Sequence, residues 1–222
     1  SGLKVSSVGL GAYKFGFPET GDGSRTDEKA SHAIMDRALE LGVTFWDTAN
    51  RYNNGSGNSE RVIGRWFKKN PDQRRNVILA TKIRGGMDGR TPNHGGLSRG
   101  NILDSVAACL ERLQTDRIDL LYFHNTDDTV PLEESLSAVE DLVRQGVVRY
   151  FAVSNHTPVQ LEALQRMESE LSVRCRAVAV QNQFDILHGE SQKHPGVLEY
   201  SAGAGLSFVA WAPLGRGLLT NR

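Results

Sequence analysis

Four polar side chains of the chain could together transfer a proton: Asp47, Tyr52, Lys82 and His124. Asp47 and Lys82 each lie in an apolar run, where an unpaired charge would be very unfavourable, so we expect them to pair with each other. Tyr52 follows Asp47 by five residues, which would bring its phenol close to the Lys82 ammonium. Because a nearby cation favours the phenolate, we expect the Tyr52 pKa to lie below its usual value of about 10.

A proton-donating phenol beside a hydrogen-bonding imidazole suits the reduction of a carbonyl group. In this reaction the carbonyl oxygen gains a proton, which Tyr52 would donate, while the carbon gains a hydride. His124 would donate a hydrogen bond to the substrate oxygen. Because no amino-acid side chain supplies a hydride, this interpretation requires a bound cofactor.

These residues must be positioned by the repeated elements around them. Apolar and β-branched runs alternate with amphipathic segments, a pattern that indicates repeated β-α units. The predicted strands are Val8–Tyr13, Val43–Ala49, Val77–Ile83, Asp119–Asn125, Tyr150–Asn155, Ala177–Phe184 and Ser207–Leu214. The predicted helices are Asp27–Leu41, Asn101–Leu113, Leu132–Arg144 and Pro158–Leu171. The expected apolar face of the first helix consists of Ala30, Ile34, Ala38 and Leu41.

Several residues mark where these helices begin and end. Thr157-Pro158-Val159-Gln160 is a capping box with proline at the first helical position. Ser98 and Ser59 are expected to cap the helix starts near them. Gly42 and Gly146 are expected to end the preceding helices.

Repeated β-α units predict parallel strands with right-handed crossovers, in either an open doubly wound sheet or a closed barrel. The first turn, Gly9-Leu10-Gly11-Ala12-Tyr13, does not complete the GxGxxG pattern of dinucleotide-binding open sheets, which favours the barrel. A barrel needs eight strands, and seven are predicted. We therefore expect a single α/β domain over residues 1–222, a (β/α)8 TIM barrel that lacks its last β/α unit.

Composition restricts the partners of the protein. The chain has 26 basic and 26 acidic residues, and this balance argues against nucleic acid as a partner. No apolar run approaches the roughly 18 residues of a membrane span, and Ser1-Gly2-Leu3-Lys4 does not resemble a signal segment. The missing initiator Met predicts that residues before Ser1 were removed.

Cys109, Cys175 and the histidines show no metal-ligand spacing. We expect a cytoplasmic protein that acts on a small carbonyl compound.

Segments spread over the whole chain resemble the aldo-keto reductase family. They are Gly2-Leu3-Lys4-Val5-Ser6, Gly9-Leu10-Gly11, Asp47-Thr48-Ala49, Tyr52 with Ser59-Glu60, Thr81-Lys82, Asp119-Leu120-Leu121 with His124, Ser154-Asn155, Gln181 and Pro213–Leu219. Each segment alone is a weak signal, whereas their order and their places at strand ends are specific together. The run Arg84–Ser98 resembles the bacterial-type, potassium-channel β-subunit-like branch of the family.

The resemblance implies NADP(H) as cofactor and a role for each site residue. Asp47, Tyr52, Lys82 and His124 would be the catalytic residues, with Tyr52 as general acid. Ser154, Asn155 and Gln181 would hold the nicotinamide carboxamide, Trp211 would stack on the ring, and Leu214–Leu219 would border the pyrophosphate. The complete cofactor set is Gly11, Ala12, Asp47, Ser154, Asn155, Gln181, Trp211, Pro213, Leu214, Gly215 and Gly217. The substrate pocket is expected to include Tyr13 and Trp46 beside Tyr52, His124 and the 84–98 loop.

Two other functions remain open at this point. The channel-subunit-like branch also suggests an NADPH-binding, redox-sensing subunit with little turnover. A different barrel enzyme, such as a metal-dependent hydrolase, is a third hypothesis, and the lack of a metal-ligand set in the sequence argues against it.

Overall fold

Seven parallel strands form one curled sheet in the computed structural model of the protein, which describes residues 1–87, 91–171 and 175–220. The parallel strands are β1 Gly9–Gly11, β2 Phe45–Asp47, β3 Ile78–Ile83, β4 Ile118–Phe123, β5 Val148–Ser154, β6 Ala177–Asp185 and β8 Ser207–Trp211. A two-residue strand, β7 Gly189–Glu190, pairs antiparallel with the end of β6. The predicted strands therefore all exist, although β1 and β2 are shorter than expected.

The sheet curls in chain order without closing. Within the described ranges, β1 pairs with β2 and β8 pairs with β6, and no pairing joins β1 to β8. The α/β architecture with parallel strands is confirmed, and it is consistent with part of a TIM barrel. The predicted fold class was a (β/α)8 barrel that lacks its last unit; the partial barrel agrees with it, whereas the full (β/α)8 architecture is not confirmed by the described residues.

Helices connect most of the strands and cover the outside of the sheet. They are α1 Glu28–Glu40, α2 Tyr52–Gly55, α3 Asn58–Lys69, α4 Arg99–Leu113, α5 Leu132–Arg144, α6 Pro158–Glu170 and α7 Val197–Ala204. Four were predicted to within two residues, a helix start near α3 was expected only through the Ser59 cap, and α2 and α7 were not predicted. Across the part of the chain that the structure describes, no helix is long and apolar enough to cross a membrane.

Most of the predicted helix ends are confirmed. Thr157 caps α6 with its complete capping box, and Ser98 accepts a hydrogen bond from the Asn101 amide at the start of α4. Gly42 and Gly146 both have positive φ, as expected of residues that end helices. Ser59 is not a cap, because α3 begins after Gly57 and the Ser59 hydroxyl donates to the Ala12 carbonyl instead.

The predicted apolar face of α1 is wrong apart from Ala38. Ser31, Met35 and Ala38 are buried, whereas Ile34 and Leu41 are 40% and 63% exposed. Ala30 is also exposed. The predicted residues do share one face of a helix with 3.6 residues per turn, but the face that packs on the protein is rotated from it by about 70° and centres on Ser31 and Met35.

Side chains alternate across each strand between the outer core and the barrel interior. Trp46 points outward and packs against Trp66 and Phe67, with ring centroids 4.9 and 5.9 Å away. Its neighbour Asp47 therefore points inward. The interior below Asp47 is filled by a separate apolar cluster of Phe45, Ala80, Leu120, Tyr122, Ala152 and Ala179. This apolar cluster forms the floor of the interior, and the polar groups lie above it at the carboxyl ends of the strands.

A buried carboxylate joins α3 to β3 and α4. Glu60 is fully buried, accepts a hydrogen bond from the Thr81 hydroxyl at 2.6 Å, and pairs with the Arg112 guanidinium at 2.6 Å. Thr81 precedes Lys82 on β3, so Glu60 helps to fix the strand that carries this ammonium. The Ser59-Glu60 segment thus stabilises the fold, and neither side chain forms a hydrogen bond with the four polar residues at the strand ends.

We expect Glu60→Ala to destabilise the protein by roughly 3 kcal/mol or more, because it leaves the largely buried Arg112 charge without its partner. Urea unfolding of the variant and the wild-type protein measures this difference. The control is Glu40→Ala, which removes the exposed Arg37–Glu40 pair and should change stability by less than about 1 kcal/mol. Equal losses in the two variants would contradict the role given to Glu60.

Candidate active site

The Lys82 ammonium is the centre of the polar cluster at the carboxyl ends of β2 and β3. Its Nζ donates to Asp47 Oδ2 at 2.5 Å, to the Thr48 carbonyl at 3.0 Å and to the Tyr52 hydroxyl at 2.8 Å. These contacts use all three N–H groups of an ammonium. The side chain is 1% exposed, so the Asp47 carboxylate is what compensates for its burial.

Backbone pairing beyond the regular strand brings Tyr52 to this ammonium. After β2 ends at Asp47, the Thr48 amide still donates to the Ala80 carbonyl, and the Asn50 amide donates to the Lys82 carbonyl at 3.1 Å. The chain then turns through Asn53, whose φ of 56° is left-handed. Asparagine tolerates this conformation better than most residues, which explains the asparagines after Tyr52.

The pKa of the Tyr52 phenol is raised, whereas the sequence predicted that it would be lowered. Burial raises it well above 10, and the Asp47 carboxylate raises it further. Burial also lowers the pKa of Lys82, an effect that Asp47 opposes. The sequence interpretation counted the cation and missed the desolvation of the phenol. In this environment Tyr52 keeps its proton at neutral pH.

His124 lies beside Tyr52 at the end of β4. The two rings meet edge to face with centroids 5.9 Å apart, and the His124 amide is held by the Ile83 carbonyl at 2.9 Å. Burial lowers the pKa of His124 to about 3, and the charges of Lys82, Arg51 and Arg84 contribute further. The imidazole is therefore neutral at physiological pH and has one N–H to donate.

The residues expected to hold a carboxamide are hydrogen-bonded to one another and to this cluster. Gln181 Nε2 donates to Asp47 Oδ1 at 3.1 Å, and the Ser154 hydroxyl donates to the Gln181 carbonyl at 2.7 Å. Asn155 has a left-handed φ of 59°, and its amide nitrogen donates to the His124 carbonyl at 2.9 Å. Trp211 Nε1 in turn donates to Asn155 Oδ1 at 3.1 Å. The structure thus brings these four residues together with the catalytic candidates.

The remaining cofactor candidates lie on both sides of this network. Gly11 pairs in register with Asp47, and a side chain added at Gly11 would meet no atom within 4 Å, so open space adjoins the carboxylate. Ala12 is buried and donates its amide to the Asp47 carbonyl at 2.8 Å. After β8, the turn with Pro213 and Leu214 includes Gly215 and Gly217, both with positive φ.

These observations fit a nicotinamide cofactor. A carboxamide needs both a donor and an acceptor, and the side chains of Ser154, Asn155 and Gln181 provide both. One of them, Gln181, also contacts the Asp47 carboxylate of the polar cluster. The open space beside Gly11 and the partly exposed Trp211 border the same end of the sheet.

The two aromatic residues expected in the substrate pocket have different positions. Tyr13 is 53% exposed and meets the Tyr52 ring edge to face at 4.9 Å, so it lies at the mouth of the site. Trp46 is fully buried on the outer face of β2, and the prediction that it lines the pocket is wrong. Strand alternation could have shown this, because Trp46 and Asp47 are adjacent. In the 84–98 loop, residues 88–90 lie outside the described residues.

Arg51 and Arg84 are charged residues of this region that the sequence interpretation missed. Arg51 directly precedes Tyr52, and Arg84 follows Lys82 by two residues, so their places in the chain were a usable signal. Among the described residues, no group of three or more His, Cys, Asp or Glu is arranged to hold a metal ion.

Comparison with known proteins gives a consistent family match. A family model described as the aldo/keto reductase family matches residues 7–222. The chain is 37% identical to the uncharacterized oxidoreductase YrpG of Bacillus subtilis and 34% identical to the aldo-keto reductase AMT2 of Alternaria alternata. It is also 28% identical to a probable voltage-gated potassium channel subunit beta of Oryza sativa. Each match covers the whole chain and 67%, 65% and 64% of these relatives, respectively, so the chain spans about two thirds of their length.

We expect the His124 imidazole to stay neutral down to about pH 4 in an NMR titration, because its pKa is lowered to about 3. An unfolded histidine takes up a proton near pH 6.5, whereas folded His124 does not, so acidification below pH 6.5 should favour unfolding. The variant Arg84→Gln removes one of the nearby cations and should raise the His124 midpoint. A wild-type midpoint near 6.5 would contradict the environment described for His124.

Proposed function

Because the chain belongs to the aldo/keto reductase family, we propose that it reduces an aldehyde or ketone to an alcohol, with NADPH as the hydride donor and Tyr52 as the proton donor. The observation that carries this proposal is the single ammonium that contacts both Asp47 and the Tyr52 hydroxyl. The relatives support an oxidoreductase acting on carbonyl compounds, and NADPH follows from the resemblance of the sequence to the family.

In this proposal the cofactor is held at the carboxyl ends of β5, β6 and β8. Ser154, Asn155 and Gln181 would bind its carboxamide, Trp211 would pack against its ring, and the turn with Pro213, Leu214, Gly215 and Gly217 would border its phosphates. When bound, the cofactor supplies the hydride that no side chain can supply. Gln181 also contacts Asp47, so a residue that would hold the carboxamide is linked to the carboxylate that affects the Tyr52 pKa.

Tyr52 is suited to donate the proton because its phenol is protonated and the O–H of that phenol forms only a weak hydrogen bond within the protein. The distance from the Tyr52 hydroxyl to Asp47 Oδ2 is 3.5 Å, at the limit of a hydrogen bond. A substrate oxygen that accepts this proton leaves a phenolate, which the Lys82 ammonium at 2.8 Å stabilises. Asp47 holds that ammonium in place and compensates for its burial.

His124 is suited to orient the carbonyl and not to act as the acid. With a pKa lowered to about 3, the imidazole has no second proton to give at physiological pH. Its one N–H can donate to the substrate oxygen beside the Tyr52 phenol and stabilise the negative charge that develops there. Tyr13, at the mouth of the site, would contact the rest of the substrate.

An NADPH-binding, redox-sensing subunit is a second candidate function, favoured by the similarity to the Oryza sativa relative. The two functions differ in rate. A reductase releases its oxidised cofactor and turns over repeatedly, whereas a sensor retains the cofactor after a single slow reduction. Single-turnover and steady-state rates of NADPH and NADH oxidation by the full-length protein separate these outcomes and also test the cofactor preference.

We expect Tyr52→Phe to lower kcat for aldehyde reduction by about 10²- to 10⁴-fold, because the variant lacks the donated proton. NADPH oxidation monitored at 340 nm with a panel of aldehydes and ketones measures the loss. Tyr200→Phe is the matched control, since Tyr200 lies on α7 and donates to Gln165, away from the cluster. Unchanged turnover in Tyr52→Phe would refute the assignment of Tyr52 as the acid.

A further inference from the structure

Two guanidinium groups line a cavity of about 440 Å³ beside the proposed catalytic cluster. Arg51 and Arg84 both line it, together with the glycine pairs Gly85-Gly86 and Gly95-Gly96 and with Ser98 at the start of α4. Glycines leave little side-chain bulk between the two guanidinium groups and the open space. A small anion could therefore approach both arginines.

Both arginines lie close in the chain to the catalytic candidates, and a backbone carbonyl holds each guanidinium group. Arg51 immediately precedes Tyr52, and its guanidinium donates to the Gly86 carbonyl at 3.0 Å. Arg84 follows Lys82 by two residues, and its Nε donates to the carbonyl of Thr126, two residues after His124. The cavity is thus bordered by the chain segments that carry the phenol, the ammonium and the imidazole.

The charges around this cavity are unbalanced. Across the ranges that the structure describes, neither Arg51 nor Arg84 forms a salt bridge with a carboxylate. Asp127 also lines the cavity, and its pKa is lowered because hydrogen bonds from Thr129 and Leu97 together with the Arg84 charge outweigh the effect of burial. This one carboxylate offsets one of the two guanidinium charges, so the three charged lining residues Arg51, Arg84 and Asp127 still have a net positive charge. Both guanidinium groups retain N–H donors that have no acceptor among these contacts.

We propose that Arg51 and Arg84 bind an anionic group of the substrate, so that the protein prefers carbonyl compounds that carry a carboxylate or a phosphate. This inference rests on the proposed reduction by Tyr52. The anion would lie between the two guanidinium groups while the carbonyl of the same molecule reaches Tyr52 and His124. Arginine suits this role because its planar donors match carboxylate and phosphate oxygens.

The test compares matched substrates that differ in one charged group. For a carboxylate the pair is 4-carboxybenzaldehyde and 4-methylbenzaldehyde, and for a phosphate it is glyceraldehyde 3-phosphate and glyceraldehyde. We expect the full-length protein to have a kcat/KM at least about 10-fold higher for the charged member of at least one pair, and the better pair identifies the anion. The preference should fall as ionic strength rises.

Arginine variants then locate the preference. In Arg51→Gln and Arg84→Gln the ratio of charged to neutral kcat/KM should fall toward one, whereas Arg84→Lys should keep part of it. Arg166→Gln, on the exposed side of α6, should leave the wild-type ratio intact. The KM for NADPH serves as a further readout, because a rise in this value with an unchanged substrate ratio would place the bound phosphate on the cofactor and overturn the proposal.

Failure of the inference can be distinguished from failure of the proposed function. If the wild-type protein reduces the charged and neutral members equally well, the anion assignment is wrong and the reductase assignment stands. If no carbonyl compound is reduced with NADPH or NADH, the proposed function itself is wrong, and the substrate class that rests on it is also rejected.

Discussion

The contact on which the rest of the site depends is the one between the buried Lys82 ammonium and its three acceptors. An ammonium at this depth requires a carboxylate partner, and Asp47 at 2.5 Å provides it. The contact with the Tyr52 hydroxyl then follows from geometry, because the Asp47–Tyr52 segment pairs with β3 through the Thr48 and Asn50 amides. Charge compensation in the fold and the proposed stabilisation of a phenolate in the reaction are thus properties of one group.

The scaffold keeps this group in place from both sides of the strand. On the outside, Glu60 holds Thr81, the residue before Lys82, and pairs with Arg112 of α4. On the inside, the apolar floor that includes Tyr122 and Ala152 fills the space beneath Lys82. Gln181 extends the network from Asp47 to the groups proposed to hold the cofactor. Residues far apart in the sequence therefore converge because neighbouring parallel strands end at the same edge.

Strand order and the polar residues at strand ends were predictable, because apolar runs and exit-loop residues are local signals. The Asp47–Lys82 contact was also predictable, since burying either charge alone is very unfavourable. The direction of the Tyr52 pKa was not, because it depends on how far the phenol is desolvated. Trp46 was assigned to the wrong face because strand alternation was not checked. The predicted face of α1 was rotated from the buried one, because apolar residues alone did not reveal that Ser31 is buried. The cavity between Arg51 and Arg84 depends on loop packing, which periodicity does not report.

A double-mutant cycle on kcat, with Asp47→Asn, Lys82→Met and the combined variant at saturating cofactor and carbonyl substrate, tests the central claim most directly. If Asp47 acts on the phenol by holding the ammonium, the combined variant should lose about as much activity as Lys82→Met alone. Losses that multiply in the combined variant would show that the two residues act independently, and would contradict a site organised around their contact.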